Sequence, residues 1–316
     1  MKIGETMEFK HKSVLLDECI QNLNIKKDGI YVDGTLGGGG HSYEILKRLS
    51  QKGRLIGIDR DTEAIKAAKI KLRDFSNFCT VHDNHANIIN ILNELNISGV
   101  DGILLDLGVS SYQLDEAKRG FSYMQDGKLD MRMNKDDKIT AFDVVNNYSE
   151  ENLAKIFFEY GEERYSKSIA KNICKKRQDK KIDSTLELVD VIKKSMPKKA
   201  LNEKQHPAKR VFQAIRIEVN EELTKLQQAI IDSIKCLNEG GRLLIISFHS
   251  LEDKIVKHTF EDMLGKCTCP KSFPVCVCNR VSYGRIITHK PIISKEEELL
   301  ENPRSRSAKL RIFERD

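Results

Sequence analysis

Nine residues, Asp33-Gly-Thr-Leu-Gly-Gly-Gly-Gly-His41, carry the densest chemical signal in the chain. Glycines tolerate positive φ and let a ligand lie directly against the backbone. The dinucleotide spacing G-x-G-x-x-G is not met, because its last position falls on Ser42 counted from Gly37 and on Tyr43 counted from Gly38. The triphosphate pattern G-x-x-x-x-G-K-[ST] is absent too. Asp59 follows the glycines by about 20 residues, the interval at which an acid binds both hydroxyls of an adenosine ribose. A nucleoside cofactor without phosphates fits this set best: S-adenosylmethionine, with acids near its ribose and its charged amino-acid end. A glycine run by itself is often a plain turn, and Asp59 is what lifts this one above that reading.

Leu105-Asp-Leu-Gly-Val-Ser-Ser-Tyr-Gln113 is the second constellation. Asp106 leaves a buried strand, a natural catalytic position, although a turn or helix-capping acid is the plain alternative. Amine methylation gives such an acid a definite task. The exocyclic amine of cytosine is a poor nucleophile because its lone pair is conjugated with the ring. An acceptor holding one N–H raises the electron density on nitrogen and aligns it with an electrophilic methyl. Many amino-methyltransferases carry Asp/Asn-Pro-Pro-aromatic here, the aromatic stacking on a flipped base. Asp106-Leu-Gly-Val109 keeps the acid and lacks the aromatic. Phe121, Tyr123 and Phe248 are the candidate replacements, each of which fits a core equally well. His249 follows Phe248 and has two readings, contact with the base or a phosphate and a structural histidine.

The elements that must position these groups alternate. Ile30–Asp33, Leu55–Asp59, Phe78–His82, Gly102–Leu107 and Arg242–Phe248 read as strands. Ser42–Ser50, Thr62–Leu72, Asn87–Leu95 and a long Val211–Leu237 stopped by Gly240-Gly241 read as helices. Ala308–Phe313 alternates polar and apolar residues and suits an edge strand. Such alternation predicts parallel strands with right-handed crossovers, a doubly wound α/β sheet. Between Gln113 and Pro207 the rhythm changes to successive helices over 141–145, 151–158, 165–174 and 186–195. This predicts a helical insertion, with domains at 1–113 plus 208–316 and at 114–207. His206 reads as a turn residue. Lys171–Lys199 holds ten Lys/Arg against four Asp/Glu. A solvated face explains such a run about as well as a polyanion-binding one, with Lys175, Lys176 and Arg177 the candidate contacts. The insertion leaves the C-terminal end of the fourth strand, where open α/β sheets bind ligands.

The chain has 316 residues, a formal net charge of +6 and 40% hydrophobic residues, enough for a sizeable core. The 32% charged fraction and the six prolines oppose disorder. No run approaches the roughly 18 apolar residues of a membrane span, and Met1–Lys12 lacks a signal peptide's apolar core. A cytoplasmic globular protein without a membrane partner is the expectation. The eight cysteines then read as thiols. Cys267-x-Cys-(x6)-Cys-x-Cys278 is tighter than the usual zinc knuckle, and reduced thiols without metal are favoured over zinc.

On longer motifs the chain resembles the ribosomal RNA small-subunit methyltransferase H (MraW-like) family. They are His11–Glu18, Tyr31–Ser42, Ile58–Asp61, Asp101–Met133, Tyr160–Arg164, Phe212–Arg216, Ser247–Lys257 and Asn302–Ser307. The resemblance runs nearly end to end. It implies a Rossmann-like class I S-adenosylmethionine-dependent methyltransferase sheet with an inserted all-helical domain. The implied reaction is N4-methylation of a cytidine in 16S rRNA, in the decoding region of the small ribosomal subunit. The implied cofactor contacts are Gly39, Gly40, His41, Asp59, Asp106 and Gln113, plus His85, where relatives carry phenylalanine. Two other readings stay open: a non-catalytic RNA-binding or ribosome-assembly factor, and a methyltransferase acting on DNA or protein. Intact Gly39-Gly40-His41, Asp59 and Asp106 oppose the first. Monomer and homodimer are both compatible with the sequence.

Overall fold

The computed structural model describes residues 13–266, 269, 278 and 280–316. It divides into two units, residues 1–59, 65–107 and 229–316, and residues 60–64 and 108–228. The second unit is thus larger than the 114–207 insertion expected from the change of rhythm. Helix Lys209–Asn220 belongs to it because Val211, Phe212, Ala214 and Ile215 are buried in the same core as Phe157, Ile169 and Leu188.

The first unit is built on a seven-stranded sheet of β1 (Ile30–Asp33), β2 (Arg54–Asp59), β3 (Phe78–His82), β4 (Val100–Asp106), β5 (Leu237–Ser247), β6 (Gly284–Ile286) and β7 (Lys309–Arg315). The order is β3-β2-β1-β4-β5-β7-β6. The first five pair in parallel, and Ile103, Leu104 and Leu105 are fully buried, as their continuous apolar run requires. The order reverses between β1 and β4, the switch point at which such sheets open a ligand crevice.

The structure departs from the sequence pattern at three places. First, β7 is not an edge strand. It lies antiparallel between β5 and β6, and its polar side chains are paired: Lys309 and Arg311 with Asp253 at 2.9 and 2.6 Å, Glu314 with Arg242 at 2.7 Å. Second, Gly240-Gly241 does not stop a helix but sits inside β5. The register with β4 jumps there from Val100↔Leu237 to Gly102↔Arg242, and Gly240 adopts φ +71° to make the bulge. Third, Val211–Leu237 is two helices, Lys209–Asn220 and Leu226–Lys235. The break is at Glu221, in the left-handed region at φ +51°, beside Asn220. The Asn220 amide accepts from the Met133 N–H and donates to the Met131 carbonyl, so the helix ends where a long-range tie holds it.

In the second unit, helices Ala141–Asn147, Glu150–Glu159, Ser166–Asp179 and Thr185–Lys194 match the expected series. Thr140 and Ser184 start two of them through capping boxes with Asp143 and Glu187. Apolar residues recur on one face of each, such as Leu153, Ile156 and Phe157, or Leu188, Val189 and Ile192. Among the described residues no helix is long and apolar enough to cross a membrane. Of the four clustered cysteines, Cys267 and Cys276 lie outside the described residues.

Candidate active site

Backbone geometry brings the glycine loop and Asp106 together. Asp33 at the end of β1 is in register with Leu104 of β4, and the Gly34 N–H donates to the Leu104 carbonyl at 2.9 Å. The Asp106 N–H donates to Thr35 Oγ at 2.6 Å. Gly37 and Gly39 hold φ +49° and +73°, and Gly39 caps helix Gly40–Leu46. A side chain at Gly40 would run into Ser13 Oγ, while at Gly39 the positive φ is what favours glycine, with Leu72 a tight neighbour. Gly38 differs: a Cβ there would meet open space. It is the bare stretch of backbone against which a ligand can lie. The loop is pinned at its outer edge by Asp59, whose carboxylate accepts from the Gly37 N–H at 2.8 Å. His85 packs over Gly34, its Cβ within 3.1 Å of where a Gly34 side chain would start.

Three acids share this corner. Asp33 is 2% exposed and accepts from Ser42 Oγ at 2.6 Å and from the Thr35 N–H at 3.2 Å. Burial outweighs those bonds and raises its pKa to about 6. Asp106 Oδ1 is buried and, among the described residues, has no hydrogen-bond partner. Burial, then the negative charges of Asp33 and Glu252, hold its pKa well above the ordinary carboxylate range. Acids so placed are stabilised as anions by an incoming cation, and the ammonium and sulfonium of S-adenosylmethionine are cations of the right kind. Asp33 and Glu252 are additions to the sequence-derived set. The strand-end position of Asp33 was a usable signal for it, whereas Glu252 had none beyond lying three residues after His249.

Several expected contacts turn out to be committed elsewhere. The His41 residue is 6% exposed and its ring Nε2 lies 3.0 Å from the Val14 carbonyl, so the ring is engaged by backbone. Gln113 lies in the second unit. Its Oε1 accepts from the Ser110 N–H at 3.1 Å, and its Nε2 donates to buried Asp61 at 2.9 Å. Asp61 also binds Arg119 at 2.6 Å. Arg177 donates to the Val145 and Tyr148 carbonyls at the end of helix Ala141–Asn147, a capping role rather than a free basic surface. Lys175 and Lys176 beside it are exposed. Phe121 is buried in the second core, and Tyr123 stacks on His206 at 4.7 Å. His206, in the turn expected for it, thereby covers one face of that tyrosine. Phe248 packs partly against the first unit's core.

Asp33 yields a stability test. With its pKa raised from 3.8 to about 6, the folded state binds more protons than the unfolded chain between those values. Stability therefore falls as pH rises through that window and stays at its lower level above it. Asp33→Asn is expected to raise the unfolding free energy at pH 7.5 by up to about 3 kcal/mol, less the weakened Ser42 bond. It should flatten the pH 4–6 dependence. Thermal unfolding across pH 4–7.5 reads this, and a variant less stable than the parent at pH 7.5 contradicts it.

The strand order, with a glycine loop after β1 and an acid after β4 at the switch point, defines a Rossmann-like sheet of the class I methyltransferase type. The sequence profile of the MraW methylase family matches residues 8–316. Ribosomal RNA small subunit methyltransferase H of Clostridium botulinum strain 657 is 61% identical over 306 residues, covering 97% of this chain and 99% of that protein. Its counterpart from strain Loch Maree matches to the same extent. The chain belongs to the MraW methylase family. A putative rRNA-methylase structure from Clostridium thermocellum aligns over both full lengths at 11% identity with a TM-score of 0.42, too slight a likeness to carry any argument.

Proposed function

We propose that this chain methylates the N4 amine of a cytidine in the 16S rRNA of the small ribosomal subunit, using S-adenosylmethionine. This reading is supported above all by the buried Asp106 Oδ1 at the end of β4, which has no hydrogen-bond partner among the described residues, next to a glycine loop with open space at Gly38. Bound there, the cofactor supplies a methyl group made electrophilic by its sulfonium. Gly37 to Gly40 and the His41 N–H form the cradle, Asp59 takes the ribose hydroxyls and His85 stacks on adenine. Asp33 faces the positive amino-acid end. Gln113 is left out of the set because its amide is engaged by Ser110 and Asp61.

Asp106 Oδ1 accepts one N–H of the target amine, turning the nitrogen lone pair toward the methyl carbon. With the cofactor held in that cradle, the methyl would pass to this nitrogen and the C–S electron pair would stay on sulfur. The surplus proton on N4 passes to Asp106 or to water after transfer. The second unit is assigned to rRNA recognition through the exposed Lys175 and Lys176. Phe248 and His249, after β5, are assigned to the substrate side. The reaction is placed in the cytoplasm, with the enzyme acting as a monomer or homodimer.

Labelled S-adenosylmethionine incubated with small subunits from a strain lacking this enzyme is expected to put label into N4-methylcytidine. Nucleoside analysis of the digested rRNA reads the outcome. Label in any other nucleoside, or none, defeats the reading.

A further inference from the structure

Among the described residues, three buried side-chain polar atoms have no hydrogen-bond partner: Asp106 Oδ1, His249 Nε2 and Ser233 Oγ. Orphaned buried groups are rare in folded proteins, and each calls for a reason. Two of these three stand at the ends of neighbouring strands. Asp106 is in register with Ile246 of β5, the Leu107 N–H donates to the Ile246 carbonyl at 2.9 Å, and His249 lies three residues further on.

The state of the His249 ring follows from its partners. His249 caps helix Ser250–Met263, its Nδ1 accepting from the Glu252 N–H at 3.4 Å. Nδ1 is therefore unprotonated in the neutral ring, and the ring hydrogen sits on Nε2. Nε2 lies 3.1 Å from Glu252 Oε1 but off the angle of a hydrogen bond. Glu252 is itself held by the Phe248 N–H at 2.8 Å, which fixes the whole turn after β5. One strand end thus presents a spare acceptor and the next a spare donor.

We infer that His249 is a specificity-determining residue whose Nε2–H donates to the ring nitrogen N3 of the target cytosine while Asp106 accepts from its N4 amine. This deepens the functional reading above and rests on it. An acceptor beside a donor complements an amine next to an unprotonated ring nitrogen, the Watson–Crick edge that cytosine shares with adenine, so the pair selects these two bases and the size of the ring separates them. Guanine is refused, because its amine adjoins a protonated ring nitrogen and His249 would face a second donor. Uracil is refused twice, presenting an oxygen to Asp106 and an N–H to His249. The same turn that caps the helix thereby supplies a contact for the base.

The test compares target cytidine with 3-deazacytidine, which keeps the amine and lacks the N3 acceptor, in small subunits reconstituted with rRNA carrying either at the modified position. The wild type is expected to favour cytidine by about tenfold in kcat/KM, the worth of one well-placed hydrogen bond. His249→Asn keeps a good helix cap and loses the distal donor, so it should treat the two substrates within about twofold, with unchanged cofactor affinity. A merely structural histidine would slow both substrates alike and leave the preference intact. That result overturns the inference, as does a wild type indifferent to the deaza substitution. A wild type that methylates neither substrate sinks the functional reading, and this inference with it.

Discussion

Asp106→Asn should slow single-turnover methyl transfer by roughly 10²-fold or more, the usual scale for a positioned acid–base group, while leaving cofactor binding measurable. The substitution keeps size and one oxygen but removes the charge that makes Oδ1 a strong acceptor for the amine N–H. Buried and facing Asp33 and Glu252, the carboxyl has a pKa well above the ordinary range. Its ionised form does the accepting, so the wild-type rate should fall as pH drops through that raised value, and this acid limb should vanish in the variant. Some loss of cofactor affinity is expected too, since a negative charge leaves a site for cations. Saturating cofactor and small subunits separate the two effects. A near-wild-type rate under those conditions would reduce Asp106 to a seat for the cofactor.

The second large effect lies in the other unit. Arg119 and Asp61 have side chains only 7% and 1% exposed and meet at 2.6 Å. Arg119 also donates to the Arg132 and Met133 carbonyls, while Asp61 accepts from Gln113 and from the Glu63 N–H. Arg119→Met strands a buried carboxylate and is expected to cost about 3–5 kcal/mol of unfolding free energy. The double variant Arg119→Met, Asp61→Leu removes both charges and should recover a large part of that loss, because it leaves no uncompensated ion. Urea unfolding of the three proteins measures it. If the single variant unfolds within about 1 kcal/mol of the parent, the pair is no more than a surface-grade contact.

These cases show how differently the residues of one motif can be employed. Asp59 and Asp61 stand two apart in Ile58-Asp-Arg-Asp61, yet Asp59 pins the glycine loop and Asp61 anchors a buried ion pair in the other unit. Gln113 and Arg177 sat in the segments expected to meet cofactor and RNA. The structure uses one to complete a capping box and the Asp61 network, the other to cap a helix.

What local chemistry and periodicity encode is legible in the residues alone. The glycine loop between a strand and a helix, the wholly apolar β4 and the capped amphipathic helices of the second unit all depend on residues close in the chain. The parallel sheet followed from their alternation. Whatever depends on a distant partner was settled by long-range contacts. β7 became interior because β6, three residues with no periodicity to read, covers its far side and because Asp253 and Arg242 neutralise its polar face. The 211–237 helix broke because Asn220 is tied to Met131 and Met133, nearly ninety residues away in sequence. Asp33 and Asp106 became acids of raised pKa only once folding removed water from both and set Asp106 beside Asp33 and Glu252. A side chain's type fixes what it can donate or accept; burial and long-range neighbours fix which of those bonds is left for a ligand.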